Sequence, residues 1–260
     1  NVFGSGKFVS AQVNTGRVNQ TYALSYLNPY YTVDGVSQGF DVYKRTTDAS
    51  TLSVGAYVTN SLGGGVKFGY PLAEQLYMTF GLNAENVKLQ TFTNSPASYL
   101  SFVDLFGNRY ASVSGLIGIA RDQRDSAILT TRGSYTVLTT EVAGGALQYY
   151  RVGFNHQWYH PLSRTFTLAL NADLGFARRI GDKPVPFFKS YYAGGPGSVR
   201  GYQPYSLGPQ DGSGAALGGT RKLVGNAEVQ FPVPGVGTDK SLRLGVFVDA
   251  GQIYAASAKL

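Results

Sequence analysis

Apolar and polar residues alternate with a period of two along most of this chain, and several runs reach about ten residues or more. From Lys7 to Asn14, Val9, Ala11 and Val13 take one face while Ser10, Gln12 and Asn14 take the other. Met78, Phe80, Leu82 and Ala84 oppose Thr79, Gly81, Asn83 and Glu85. Tyr150, Val152, Phe154 and Trp158 oppose Arg151, Gly153, Asn155 and Gln157. Phe166, Leu168, Leu170, Ala172, Leu174 and Phe176 oppose Thr167, Asn171, Asp173 and Gly175. No convincing helical period accompanies these runs, so the chain reads as all-β.

Two architectures give a sheet one apolar face and one polar face. A soluble sandwich turns the apolar face inward and uses strands of about five or six residues. A transmembrane antiparallel β-barrel turns it toward lipid, keeps a polar bore, and needs strands of about 9–11 residues. Strand length favours the barrel. So do the 19 tyrosines and 15 phenylalanines. Tyr30, Tyr31, Tyr70, Tyr149, Tyr150, Trp158, Tyr159, Tyr191 and Tyr192 sit near predicted strand ends, where an interfacial girdle is expected. Short links are expected at Asn28-Pro29, Tyr70-Pro71 and His160-Pro161, and a longer polar segment over 91–108. No run of ~18 apolar residues is present, so no transmembrane helix is expected. The absence of cysteine excludes disulfides and thiolate metal sites. The net charge of +7 is scattered rather than gathered on one element, which argues against nucleic-acid binding.

The segment Ala193–Gly208 is a long glycine-rich loop carrying Arg200 near its middle. Disorder is the plain alternative, but Val199, Tyr202, Tyr205 and Leu207 are apolar groups that a solvated linker does not need. On the predicted strand Ala227–Phe231, Ala227, Val229 and Phe231 face lipid, which sends Glu228 and Gln230 inward. On Leu242–Ala250, the residues Leu242, Leu244, Val246 and Val248 face lipid, which sends Arg243, Phe247 and Asp249 inward. Two carboxylates on nearby strands thus face the interior, close in sequence to the Arg200 loop, and a guanidinium reaching both could pair with them bidentately. Taken singly, either acid could instead be solvated.

Several stretches resemble the outer-membrane assembly and transport barrels. Ser198-Val199-Arg200-Gly201-Tyr202 is similar to their VRG(F/Y) loop motif. Asn28 to Ser37, NPYYTVDGVS, resembles a segment of the assembly branch. Arg121 to Asp125 with Thr131-Arg132-Gly133 resembles the family's RD…TRG turn, and Glu228 to Pro232 and Val248 to Gly251 resemble two strand signatures. The resemblance implies a barrel of sixteen strands, of which 1–260 would cover roughly the first twelve or thirteen, with the closing strands beyond Leu260 and the periplasmic POTRA domains absent. It implies that the sixth extracellular loop folds into the bore, where Val199, Arg200, Gly201 and Tyr202 anchor it and Arg200 contacts Glu228 and Asp249. It makes Gly6, Lys7, Phe8, Val9, Ser10, Ala11, Gln12, Val13 and Asn14 the first strand, one half of a lateral gate.

The function so implied is folding and insertion of β-barrel proteins into a Gram-negative outer membrane without ATP, by pairing substrate strands with an exposed edge. Implied partners are unfolded outer-membrane proteins, assembly-complex lipoproteins, a periplasmic chaperone and membrane lipid, with no nucleic acid and no cofactor. The alternative is a two-partner secretion pore for one secreted protein. A barrel enzyme needs a nucleophile beside a histidine base. The two histidines, His156 in the lipid-facing register and His160 in an expected turn, give none, so no catalytic residue or metal site is expected.

Overall fold

The computed structural model describes residues 4–52, 54–233 and 242–255. Its strands are β1 (Phe8–Thr15), β2 (Asn19–Asn28), β3 (Ser37–Asp48), β4 (Tyr57–Ala73), β5 (Leu76–Thr91), β6 (Arg109–Asp122), β7 (Gly133–Gly145), β8 (Tyr149–Pro161), β9 (Thr167–Arg179), β10 (Arg221–Pro232) and β11 (Arg243–Tyr254). They form one eleven-stranded sheet in strict sequence order, each pair antiparallel. Among the described residues β1 and β11 are its two edges. Among the described residues there is no second sheet to make a sandwich.

The large apolar side chains of the sheet point outward. Leu24, Val42, Leu62, Leu82, Val113, Val246 and Val248 are all exposed, Val248 to 73 %. A water-soluble sheet would bury these groups, each worth roughly 1.5–3 kcal/mol. Arranged around a barrel wall, they form the band that meets lipid. The packed core lies at one end, where Tyr99, Phe102, Tyr110, Tyr149, Phe187 and Leu147 cluster. Phe187 stacks on Tyr99 with centroids 3.6 Å apart.

Part of that cap is a helix, α1 (Ala97–Phe106), inside the segment expected to be a polar loop. Tyr99, Phe102, Val103 and Phe106 follow the i, i+3, i+4, i+7 spacing of a helical face. Ten residues after a proline are too few for that period to stand out among strands. The strand count is eleven in the described residues, below the expected dozen. β1 begins at Phe8, because Gly6 has a positive φ of 74° and lies outside the ladder. Tyr70 and Pro71 lie within β4, where the pairing with β5 shifts register between Pro71 and Ala73. The link after Asn28 is longer than expected, running from 29 to 36, and His160 lies in β8 rather than in a turn. The girdle is only partly as expected. Tyr30, Tyr31, Tyr70 and Trp158 are exposed. Tyr149 is buried and donates to Glu141 at 2.8 Å, and Tyr192 packs into the cap.

Candidate functional site

The connection between β9 and β10, residues 180–220, turns back onto the inner wall instead of standing away from the sheet. Val199 seats it. Its side chain is buried with Ala193, Val224 and Ile253, and Tyr191 and Leu207 pack alongside. Gly251 permits the approach, because a Cβ there would lie 2.7 Å from a Val199 methyl. The loop holds its own shape through Gly195 N–H donating to Val199 C=O at 3.1 Å and Leu207 N–H donating to Ala193 C=O at 3.0 Å. Lys189 ties it further to Glu85 on β5 at 3.1 Å.

This seating delivers Arg200 to β10 and β11. Its Nε and Nη2 donate to the two oxygens of Asp249 at 2.7 and 2.8 Å, a bidentate fork. The Arg200 backbone N–H donates to the same carboxylate at 2.9 Å. Nη1 donates to Glu228 Oε2. The guanidinium carbon lies 3.4 Å from the centre of the Phe247 ring, a cation–π contact. The Asp249 side chain is 2 % exposed, so its charge depends on this partner. The Asp249 hydrogen bonds, against the opposing effect of burial and helped by Glu228, raise the guanidinium's proton affinity above its ordinary value.

The alternation in β10 and β11 places these acids on one face, since Asn226 pairs with Asp249 and Glu228 with Phe247 across the ladder. Asn226 was not foreseen. Its amide donates to Ser198 C=O at 2.7 Å, holding the residue before the motif. It also ends a chain of amides in which Asn155 donates to Asn171 at 3.0 Å and Asn171 to Asn226 at 2.8 Å. The available signal was its position two residues before Glu228 on the same strand face. Tyr202 differs from expectation: it is 55 % exposed and takes no part in the seating. Gly201 follows Arg200 with φ 89° and turns the chain away. The expected gate residues Phe8 to Asn14 form β1 at the far edge of the sheet, and Gly6 and Lys7 precede it. Both histidines sit on the outer face of β8. His156 stacks along Phe154 and meets the Thr136 hydroxyl at 2.8 Å, and His160 stacks on Trp158.

The Omp85 superfamily domain matches residues 1–259. The chain belongs to the Omp85 superfamily. Among curated relatives, it is 37 % identical to the outer membrane protein assembly factor BamA of Neisseria meningitidis over 98 % of its own length and 34 % of that protein's. It is 26 % identical to a SAM50-like protein of Schizosaccharomyces pombe, covering 96 % of this chain and 53 % of the relative. The crystal structure of Haemophilus ducreyi BamA lacking POTRA domains 1–3 superposes with a TM-score of 0.89 at 26 % identity, covering 97 % of this chain and 53 % of that one. CdiB from Acinetobacter baumannii, at TM-score 0.52 and 15 % identity over 92 % of this chain and 40 % of that one, shares the fold alone. The chain thus spans between a third and about half the length of these proteins. The Omp85 fold makes this an outer-membrane protein with a β-barrel wall. Counted from β1 among the described strands, the Arg200 connection is the fifth at its end of the sheet.

Proposed function

We propose that this chain is the barrel portion of an outer-membrane protein assembly factor, which folds and inserts β-barrel proteins into a Gram-negative-type outer membrane without ATP. The observation that carries the reading is the 37 % identity to the Neisseria assembly factor across nearly the whole chain. The seated Arg200 loop supports it, because the loop braces the wall from within while the outer face stays free for lipid. Substrates are unfolded outer-membrane proteins, which add strands to an unpaired edge at the barrel seam. Accessory lipoproteins, a periplasmic chaperone and membrane lipid complete the partners. No covalent chemistry is assigned, since both histidines point away from the bore side. Depleting the full-length protein in its host tests the reading. Levels of many unrelated outer-membrane barrels should fall together. Loss of one secreted protein with the other barrels intact would replace it with the two-partner secretion pore.

A further inference from the structure

At the end of the sheet opposite the Arg200 loop, the connection between β6 and β7, residues 123–132, folds inward and reaches β11. Arg243 Nη1 donates to Thr130 C=O at 2.9 Å, and Nη2 donates to Leu129 C=O at 3.2 Å. These strands are not neighbours. β7 and β11 are four strand spacings apart, about 19 Å along the sheet at ~4.8 Å per spacing. The contact is therefore a chord across the bore side. One cavity shows what the chord spans: it is lined by Ile128 and Thr130 from the turn, Tyr159 from β8, Glu228 from β10 and Arg243 from β11.

The turn is built to hold this shape. Asp125 accepts from the Thr131 N–H at 2.9 Å, the Arg132 N–H at 3.2 Å and the Thr131 hydroxyl. The Ser126 hydroxyl accepts from Leu129 N–H at 3.1 Å, and the Thr130 hydroxyl donates back to Ser126 C=O at 2.6 Å. Asp122 and Arg124 pair at the base through two hydrogen bonds of 2.9 and 2.8 Å. Gly133 closes the loop at φ 105°, where a Cβ would strike Gln123 C=O. A solvated hairpin link needs none of this. Thr130 is buried, and the carbonyls that Arg243 binds are turned away from any strand ladder.

We propose that the β6–β7 turn is a fixed internal plug that narrows the bore at the end opposite the Arg200 loop, and that Arg243 is its latch. Barrel interiors that are not open channels are filled by such inserted segments. Arginine suits the task because its planar fork satisfies two carbonyls at once, where lysine offers a single point of charge. The wall strands β10 and β11 are then clamped from both ends, by Arg200 through Asp249 and by Arg243 through the turn.

Conductance of the full-length protein in planar lipid bilayers tests the plug. Arg243→Ala should raise mean ion conductance severalfold, and Arg243→Lys should fall between it and wild type. A second variant, with 127–129 replaced by one glycine, should open the same path even where Arg243→Ala does not yield a folded barrel. Heat-modifiable gel mobility reports folding in each case. Wild-type conductance in either folded variant would overturn the proposal. So would an open Arg243→Ala beside a closed shortened turn, since the latch would then act on something other than the plug.

Discussion

At the residue scale, one arginine spans two carboxylates and a ring, and the partners do not weigh equally. Asp249 is buried and takes three of the Arg200 hydrogen bonds; Glu228 is more open and takes one. Arg200→Ala leaves the Asp249 charge without its partner and should lower stability by about 3–5 kcal/mol. A double-mutant cycle on denaturant midpoints should give a larger coupling for Arg200 with Asp249 than with Glu228. Equal couplings would mean that the bidentate fork is not the dominant contact. The two acids were legible before any coordinates, because period-two alternation fixes which face each residue takes. The Arg243 partners were not legible. Its inward direction followed from the same alternation, but carbonyls more than a hundred residues away leave no pattern in the chain. Asn226 falls between these cases: its face could be read, its bond to Ser198 C=O could not.

At the scale of the element, strands were read well and interruptions poorly. Alternation survives along a strand whatever packs against it, so β5, β8 and β9 lie where the pattern put them. Ends depend on turn chemistry, and there a proline misled: Pro71 reads as a stop but sits at a register shift, where a missing N–H costs little. The β6–β7 turn gives a pH prediction of its own. Burial pushes the Asp125 carboxyl upward, but its hydrogen bonds from Thr131 and Arg132 win and hold it below its usual range. A depressed carboxyl stabilises the folded turn above the unfolded value of about 4 and loses that contribution as pH falls through the lower folded value. Amide exchange at Thr131 and Arg132 should therefore stay slow, after correction for intrinsic rates, down to about pH 4 and quicken below it. Asp125→Asn should show the faster exchange at every pH. Protection that does not change between the variants would show that the carboxylate does not order the turn.

Across the whole molecule, one end is packed and both ends are tied, while the middle of the sheet carries its apolar groups outside and its amides within. That distribution is the reverse of a soluble domain, and it predicts opposite tolerances on the two faces of the sheet. On β11, Val246 faces outward at 68 % exposure and Phe247 faces the bore beneath Arg200. On β9, Leu170 faces outward and Asn171 joins the inner amide chain. A charge on the outer face must enter hydrocarbon, so Val246→Arg and Leu170→Arg should each cost about 2–4 kcal/mol near the bilayer midplane. An inner position stays wet, so Asn155→Ala should cost no more than the loss of its hydrogen bond to Asn171, about 0.5–1.5 kcal/mol. Folding titrations of the full-length barrel into lipid vesicles measure both. A small cost outside with a large cost inside would mean that the exposed apolar band does not meet lipid. The eleven strands would then need some other cover, and the clamps at Arg200 and Arg243 would be bracing a different wall.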